Sequence, residues 1–113
     1  MQFIKDHITR DQLKIIAKTR FGNMVKAVID IKKEIIVIDA DLHADEEALL
    51  IEKGSLQNDL WGINLYPEEI GDNFIEFDSM INLRPSQNNF SRTVAEEKIR
   101  KQIIKIVNKL IKA

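Results

Sequence analysis

The 113-residue sequence contains no cysteine. That absence excludes a disulfide framework, a thiolate nucleophile and a cysteine zinc site, and it suits a reducing cytoplasm. An excess of one charge is missing as well. Lys and Arg number 17 against 18 Asp and Glu, a net charge of −1, whereas nucleic-acid binders need positive charge to displace counterions from phosphates. Long apolar runs are absent: the longest span four residues, 35–38 and 48–51, against the ~20 needed to cross a bilayer. The first residues lack the apolar stretch of a secretory signal. The four glycines are scattered and build no phosphate-cradling loop. There is no GxSxG elbow and no HExxH. With only His7 and His43, a histidine-dependent triad has almost nothing to use. These absences point to a cytoplasmic protein, with no membrane partner and no nucleic-acid partner expected.

Apolar residues make up 44% of the chain and charged residues 31%, a balance that builds one core under a solvated surface. Residues 1–113 read as a single domain. Thr9 and Gln12 have the spacing of a capping box, with Ile8 and Leu13 placed for a hydrophobic staple. Leu13, Ile16, Ala17 and Phe21 then share a face, predicting a helix over 10–21 that stops at Gly22-Asn23. Val25, Ala27, Ile29 and Ile31 alternate at a period of two, which predicts a strand. After a turn at Lys32-Lys33 a second strand follows, β-branched at Ile35, Ile36, Val37 and Ile38, and expected to lie centrally, covered on both sides.

Residues 44–53 are ambiguous. Their composition favours a helix, but a hairpin pairing 48–53 with 60–66 fits the alternation of Trp61, Ile63 and Leu65 and is the preferred reading. Residues 74–83 alternate again, with Ile75, Phe77, Ile81 and Leu83 on one face and Glu76, Asp78, Asn82 and Arg84 on the other, until Pro85 closes the strand. Thr93 and Glu96 suggest a second capping box for a final helix over 94–112, striped by Ile99, Ile103, Ile106, Val107 and Leu110. The predicted class is α+β. An antiparallel sheet of about five strands forms a meander, with the N- and C-terminal helices packed on one face, in the order α-β-β-β-β-β-α.

Two polar groups are candidates for chemistry. Trp61, Asn64 and Tyr66 with Asn82, Arg84, Asn89 and Ser91 combine aromatic, amide and guanidinium groups. Arg84 has the fork to clamp a carboxylate or phosphate. The plainer reading gives Arg84 an acidic neighbour, the asparagines turn duties and Trp61 a place in the core. Asp39, Asp41, His43 and Asp45 would line one face of a continuing strand and could hold a divalent metal, the only cofactor considered. Against that stands a solvated strand end. The last helix offers Lys98, Arg100, Lys101, Lys105, Lys109 and Lys112 as an RNA surface, yet Glu96-Arg100 and Glu97-Lys101 are ordinary i,i+4 pairs, and no RNA signature accompanies them.

The strings His43-Ala44-Asp45, Leu60-Trp61-Gly62-Ile63-Asn64-Leu65-Tyr66-Pro67 and Ile81-Asn82-Leu83-Arg84-Pro85-Ser86-Gln87-Asn88-Asn89 resemble a family of short prokaryotic proteins of unknown function. The likeness runs from roughly residue 21 to 111. It implies a free-standing small protein and no particular activity, cofactor or partner. The family pattern carries a glycine followed by Asn-Arg-Ser after Arg-Pro. Here the run is Asn88-Asn89-Phe90-Ser91-Arg92, so the likeness assigns no role to an arginine in that loop.

The expectation is therefore a non-enzymatic binding module at the Trp61–Ser91 cluster, a homodimer with an unknown small ligand or protein as partner. The first alternative is a metal-dependent hydrolase at Asp39, Asp41, His43 and Asp45. The second is RNA binding by the last helix.

Overall fold

A computed structural model describes all residues, Met1–Ala113. The expected capping box forms: Thr9 Oγ1 accepts the Gln12 N–H at 3.1 Å, and Gln12 Oε1 accepts the Thr9 N–H at 2.9 Å. It opens helix α1, Arg10–Arg20, which buries Leu13 and Ala17. Ahead of it lie two short strands absent from the sequence reading, β1 (Gln2–Ile4) and β2 (Ile8–Thr9).

Strands β3 (Val25–Asp30) and β4 (Ile35–Ile38) form the expected antiparallel pair. Asp30 fastens their turn, its Oδ1 accepting the N–H groups of Lys32 and Lys33, both at 2.9 Å. As expected, β4 is interior, with β1 on one side and β3 on the other. Ile36 and Ile38 enter a large apolar core, and Val37 enters a small one on the opposite face.

Residues 44–53 depart from the preferred hairpin. They lie in helix α2, His43–Glu52. Propensity decides here: Ala, Glu and Leu dominate the segment, and Asp45 and Glu46 suit the positive N-terminal end. Strand β5 (Leu60–Leu65) pairs antiparallel with β3, from Val25 opposite Leu65 to Asp30 opposite Leu60. Strands β4 and β5 therefore run parallel on either side of β3, and a parallel pair needs a crossover. Helix α2 is that crossover, under the sheet. By the same logic α1 links β1 to β3 across β4, over the sheet. The five-stranded antiparallel sheet stands, in the order β1-β4-β3-β5-β6, but two crossovers replace the expected meander.

The predicted strand over 74–83 is cut short. Only β6, Ile75–Glu76, pairs with β5, and the chain then leaves the sheet for a 3₁₀ turn at Met80–Asn82. Phe77 packs on the large core and Ile81 on the small one, so they do not share a face. The final helix α3, Glu97–Leu110, buries Ile103, Ile106, Val107 and Leu110 as expected. Its second capping box is not made, because Asn89 ties down the approach: Asn89 Oδ1 accepts the Ala95 N–H and Asn89 Nδ2 donates to the Thr93 carbonyl. After α3 the chain forms β7, Ile111–Lys112, parallel to β2.

The terminal helices α1 and α3 cover one face, as predicted, and build the 19-residue core with Ala27, Ile29, Trp61 and Ile63. The other face carries α2 over a four-residue apolar cluster of Val28, Val37, Leu50 and Leu60. This second face holds most of the buried polar side chains. No helix is long and apolar enough to cross a membrane.

Candidate functional site

Helix α2 sits on the sheet with an unusual contact face. Its buried residues are His43, Glu46 and Leu50, at i, i+3 and i+7, so two of the three are titratable. His43 Nε2–H donates to the Ile63 carbonyl at 2.7 Å, which leaves Nδ1 with a lone pair. Burial lowers its pKa below the usual histidine value, the Ile63 carbonyl offsets this in part, and the nearby Lys26 charge adds to it. The ring is neutral at pH 7.

Glu46 is 0% exposed, and neither carboxyl oxygen has a hydrogen-bond partner. Burial pushes its pKa up to about 10, because a charged carboxylate is expensive in an apolar setting. The Ala40 N–H and, through space, the Lys26 charge pull it the other way without overcoming burial. Glu46 is a neutral acid at pH 7. Lys26, on β3, therefore acts on both α2 groups, and it makes no ion pair of its own.

Beside His43 a cavity of about 150 Å³ opens between α2 and the 78–82 segment, lined by Lys26, His43, Ser79 and Arg92 with Leu42 and Met80 among its apolar walls. Arg92 is held by Asp78, Nε to Oδ1 at 2.8 Å. Asn64, on β5, donates to Glu76 Oε1 at 2.9 Å and to the Asp78 carbonyl at 3.2 Å. Its own Oδ1 is buried, faces the His43 imidazole and has no hydrogen-bond partner.

The expected Trp61–Ser91 cluster is divided: Trp61, Asn82, Arg84 and Asn89 lie together and are spent on the fold, whereas Asn64 and Tyr66 meet Glu76. Arg84 is only 8% exposed. Its Nε donates to the Ile81 carbonyl at 3.0 Å, and Nη1 donates to the Gln57 carbonyl at 2.6 Å and to Gln87 Oε1 at 2.8 Å. Nη2 donates to the Leu60 carbonyl. The guanidinium lies 4.3 Å from the centroid of the buried Trp61 ring. A side chain so committed is a rivet between β5 and the 81–89 loop, not an open clamp. Burial without a hydrogen-bonded acid lowers its pKa, and Glu47 is the nearest compensating charge.

Asn82 is fully buried and imitates a strand. Its Oδ1 accepts the Gly62 N–H at 2.8 Å, and its Nδ2 donates to the Gly62 carbonyl at 2.9 Å. Gly62 is required for that approach, since a Cβ there would stand 2.6 Å from Ser79 Cβ. Asn89 donates to the Asn82, Ser91 and Thr93 carbonyls. The Ser91 side chain is exposed. Tyr66 OH donates to Glu76 Oε1 at 3.0 Å, and partial burial with that carboxylate raises its pKa.

The four residues considered for a metal do not converge. Asp39 and Asp41 both meet Arg20, at 3.0 and 2.6 Å, and the helix that starts at His43 turns the imidazole under the sheet. Asp45 faces solvent in the first turn of α2. No three His, Asp or Glu side chains gather as a cation cage. The extended stretch that would have aligned them ends where α2 begins. On α3, Lys101 pairs with Glu97, Lys109 with Glu34, and Arg100 donates to the Val94 and Ala95 carbonyls, so three of its five basic side chains are engaged within the molecule.

Sequence reasoning missed Glu46 and Lys26. The spacing of His43 and Glu46 on one helix face was visible once 43–52 is read as helical, but burial of a glutamate has no sequence signature. No curated protein and no solved structure matches the chain. A family model spans residues 2–110, and on that match the chain belongs to the family described as protein of unknown function, DUF5674.

Proposed function

We propose that this protein is a small-ligand binding module whose ligand carries a compact anionic group, a carboxylate or a phosphate, held in the cleft between α2 and the 78–82 segment. The observation that carries the reading is Lys26: a cation without an ion-pair partner at the wall of a small cavity. Ser79 and the Arg92 guanidinium supply further donors. His43 is neutral at pH 7, and its position is fixed by the Ile63 carbonyl. At about 150 Å³ the cavity is smaller than the ~300–1,000 Å³ of ordinary ligand pockets. It takes a head group, and the remainder of the ligand rests on Leu42 and Met80, both more than half exposed. This moves the binding role from Arg84 and Asn82 to Lys26, Ser79 and Arg92.

Calorimetric titration with inorganic phosphate and with butyrate tests this. One of the two should bind, and Lys26→Gln should weaken it at least tenfold. Silence from both, or unchanged affinity in the variant, would refute the reading. We further place the protein in a prokaryotic cytoplasm as a homodimer. The cysteine-free composition supports the compartment, the family likeness supports the source, and the prevalence of symmetric pairs among oligomers supports the dimer. Light scattering at the monomer mass of 13.1 kDa would contradict the dimer.

A further inference from the structure

On the same side of the sheet as α2, but at its β1–β4 edge, lies a basin of about 530 Å³ lined by Phe3, Lys5, Lys33, Ile35 and Lys53. Three lysines arrive from three separate elements: the residue after β1, the β3–β4 turn and the C-cap of α2. Phe3 and Ile35 are half-buried and form an apolar floor on the small cluster. Lys5 Nζ stands 5.6 Å from the Phe3 ring centroid. Lys33 reaches across the basin edge, its Nζ 3.5 Å from where a Gly54 Cβ would be.

What distinguishes this basin is the placement of the neighbouring acids. Each lysine has a carboxylate one residue away in sequence: Asp6, Glu34 and Glu52. All three are directed elsewhere. Asp6 pairs with His7 at 3.3 Å, Glu34 pairs with Lys109 at 3.0 Å, and Glu52 lines the separate cleft that holds Arg20, Asp39 and Asp41. None of the three lysines makes an ion pair. In a chain with net charge −1, the local surplus is not a by-product of a basic composition. Like charges gathered over an apolar wall repel one another, and such a surface focuses positive potential on an incoming anion.

We infer that this basin is a second binding site, independent of the α2 cleft, for a small ligand bearing several phosphoryl groups. Three separated ammonium groups match a chain of phosphates better than a single carboxylate, since lysine binds phosphate as a point charge. The Phe3–Ile35 floor accepts a flat or apolar portion attached to it. A nucleoside triphosphate has both parts.

Titration with tripolyphosphate and with ATP at low salt tests the assignment, using the intact chain and a Lys5→Gln, Lys33→Gln, Lys53→Gln variant. Tripolyphosphate should bind, with ATP at least as tight, and the triple variant should lose at least tenfold in affinity for both. Affinity should fall steeply as salt rises. The melting temperature of the triple variant should not drop, because repulsion is relieved, and this separates loss of site from loss of fold. No binding of either polyphosphate, or equal binding by the triple variant, would overturn the inference. So would capture of a ten-nucleotide RNA in preference to both.

Discussion

The two faces of one sheet are built on different principles. Above it, α1 and α3 close a 19-residue apolar core. Below it, α2 covers only four fully buried apolar side chains, and the space around them is filled by His43, Glu46, Asn82, Arg84, Asp30 and Ser55. The upper face gains stability from area removed from water, which is insensitive to pH and forgiving of small changes. The lower face depends on partners that must be present and correctly aimed, and it is costly wherever one is missing. The stretches that carry the cavity and the lysine basin border the lower face. Apolar burial is concentrated above, and both proposed sites lie below.

Substitutions can break that comparison. The largest effect is expected above: Ile103→Ala should cost about 4 kcal/mol, since its fully buried side chain leaves a void in a well-packed core. Leu50→Ala below should cost less, about 2 kcal/mol, because a smaller cluster collapses more readily. Denaturant midpoints at constant slope measure both, and equal losses would erase the distinction. Next in size, Arg84→Lys should lose about 3 kcal/mol despite conserving charge, because an ammonium cannot reach the Ile81, Gln57 and Leu60 carbonyls together. A loss under 1 kcal/mol would show that the fork is dispensable.

A change of pH sharpens the contrast. The folded chain holds the Glu46 proton up to about pH 10, whereas the unfolded chain releases it near 4.5. The stability associated with that proton is complete below 4.5 and is lost as pH rises through the folded value. The slope approaches about 1.4 kcal/mol per pH unit at most. His43 has the opposite sign: its folded pKa is depressed, so its contribution is lost as pH falls below 6.5. Between pH 7 and 9.5 Glu46 alone of the two titrates differentially. Chemical denaturation across that window should show stability falling in the parent and nearly level in Glu46→Gln. Parallel slopes would mean that Glu46 is ionised in the fold.

Much of the upper face was legible in the sequence. The Thr9–Gln12 box, the Leu13–Ala17 face and the Ile103–Leu110 stripe are local signals, and the structure realises each. Strands β3 and β5 were legible from their alternation, and β4 from its β-branched run. The lower face was not, because its grammar is polar. Helix α2 lacks a strong apolar stripe: it buries His43 and Glu46 where leucines would have announced it, so 48–53 resembled a strand. Residues 74–83 do alternate, but Asn82 replaces a strand backbone with its own amide, which no period reveals. The types in the Trp61–Ser91 cluster were identified and their work was misassigned, since a guanidinium that binds a ligand and one that binds carbonyls look the same in sequence. Strands β2 and β7, two residues each and paired across the length of the chain, have no local signature at all.

Native-state hydrogen exchange reads both faces in one experiment. Amides of α2, residues 43–52, should open with a lower free energy than those of α3, exchanging at least tenfold faster, and should slow when the anion that fills the Lys26 cleft is added. Exchange in α2 as slow as in α3, and unaltered by phosphate or butyrate, would contradict the account.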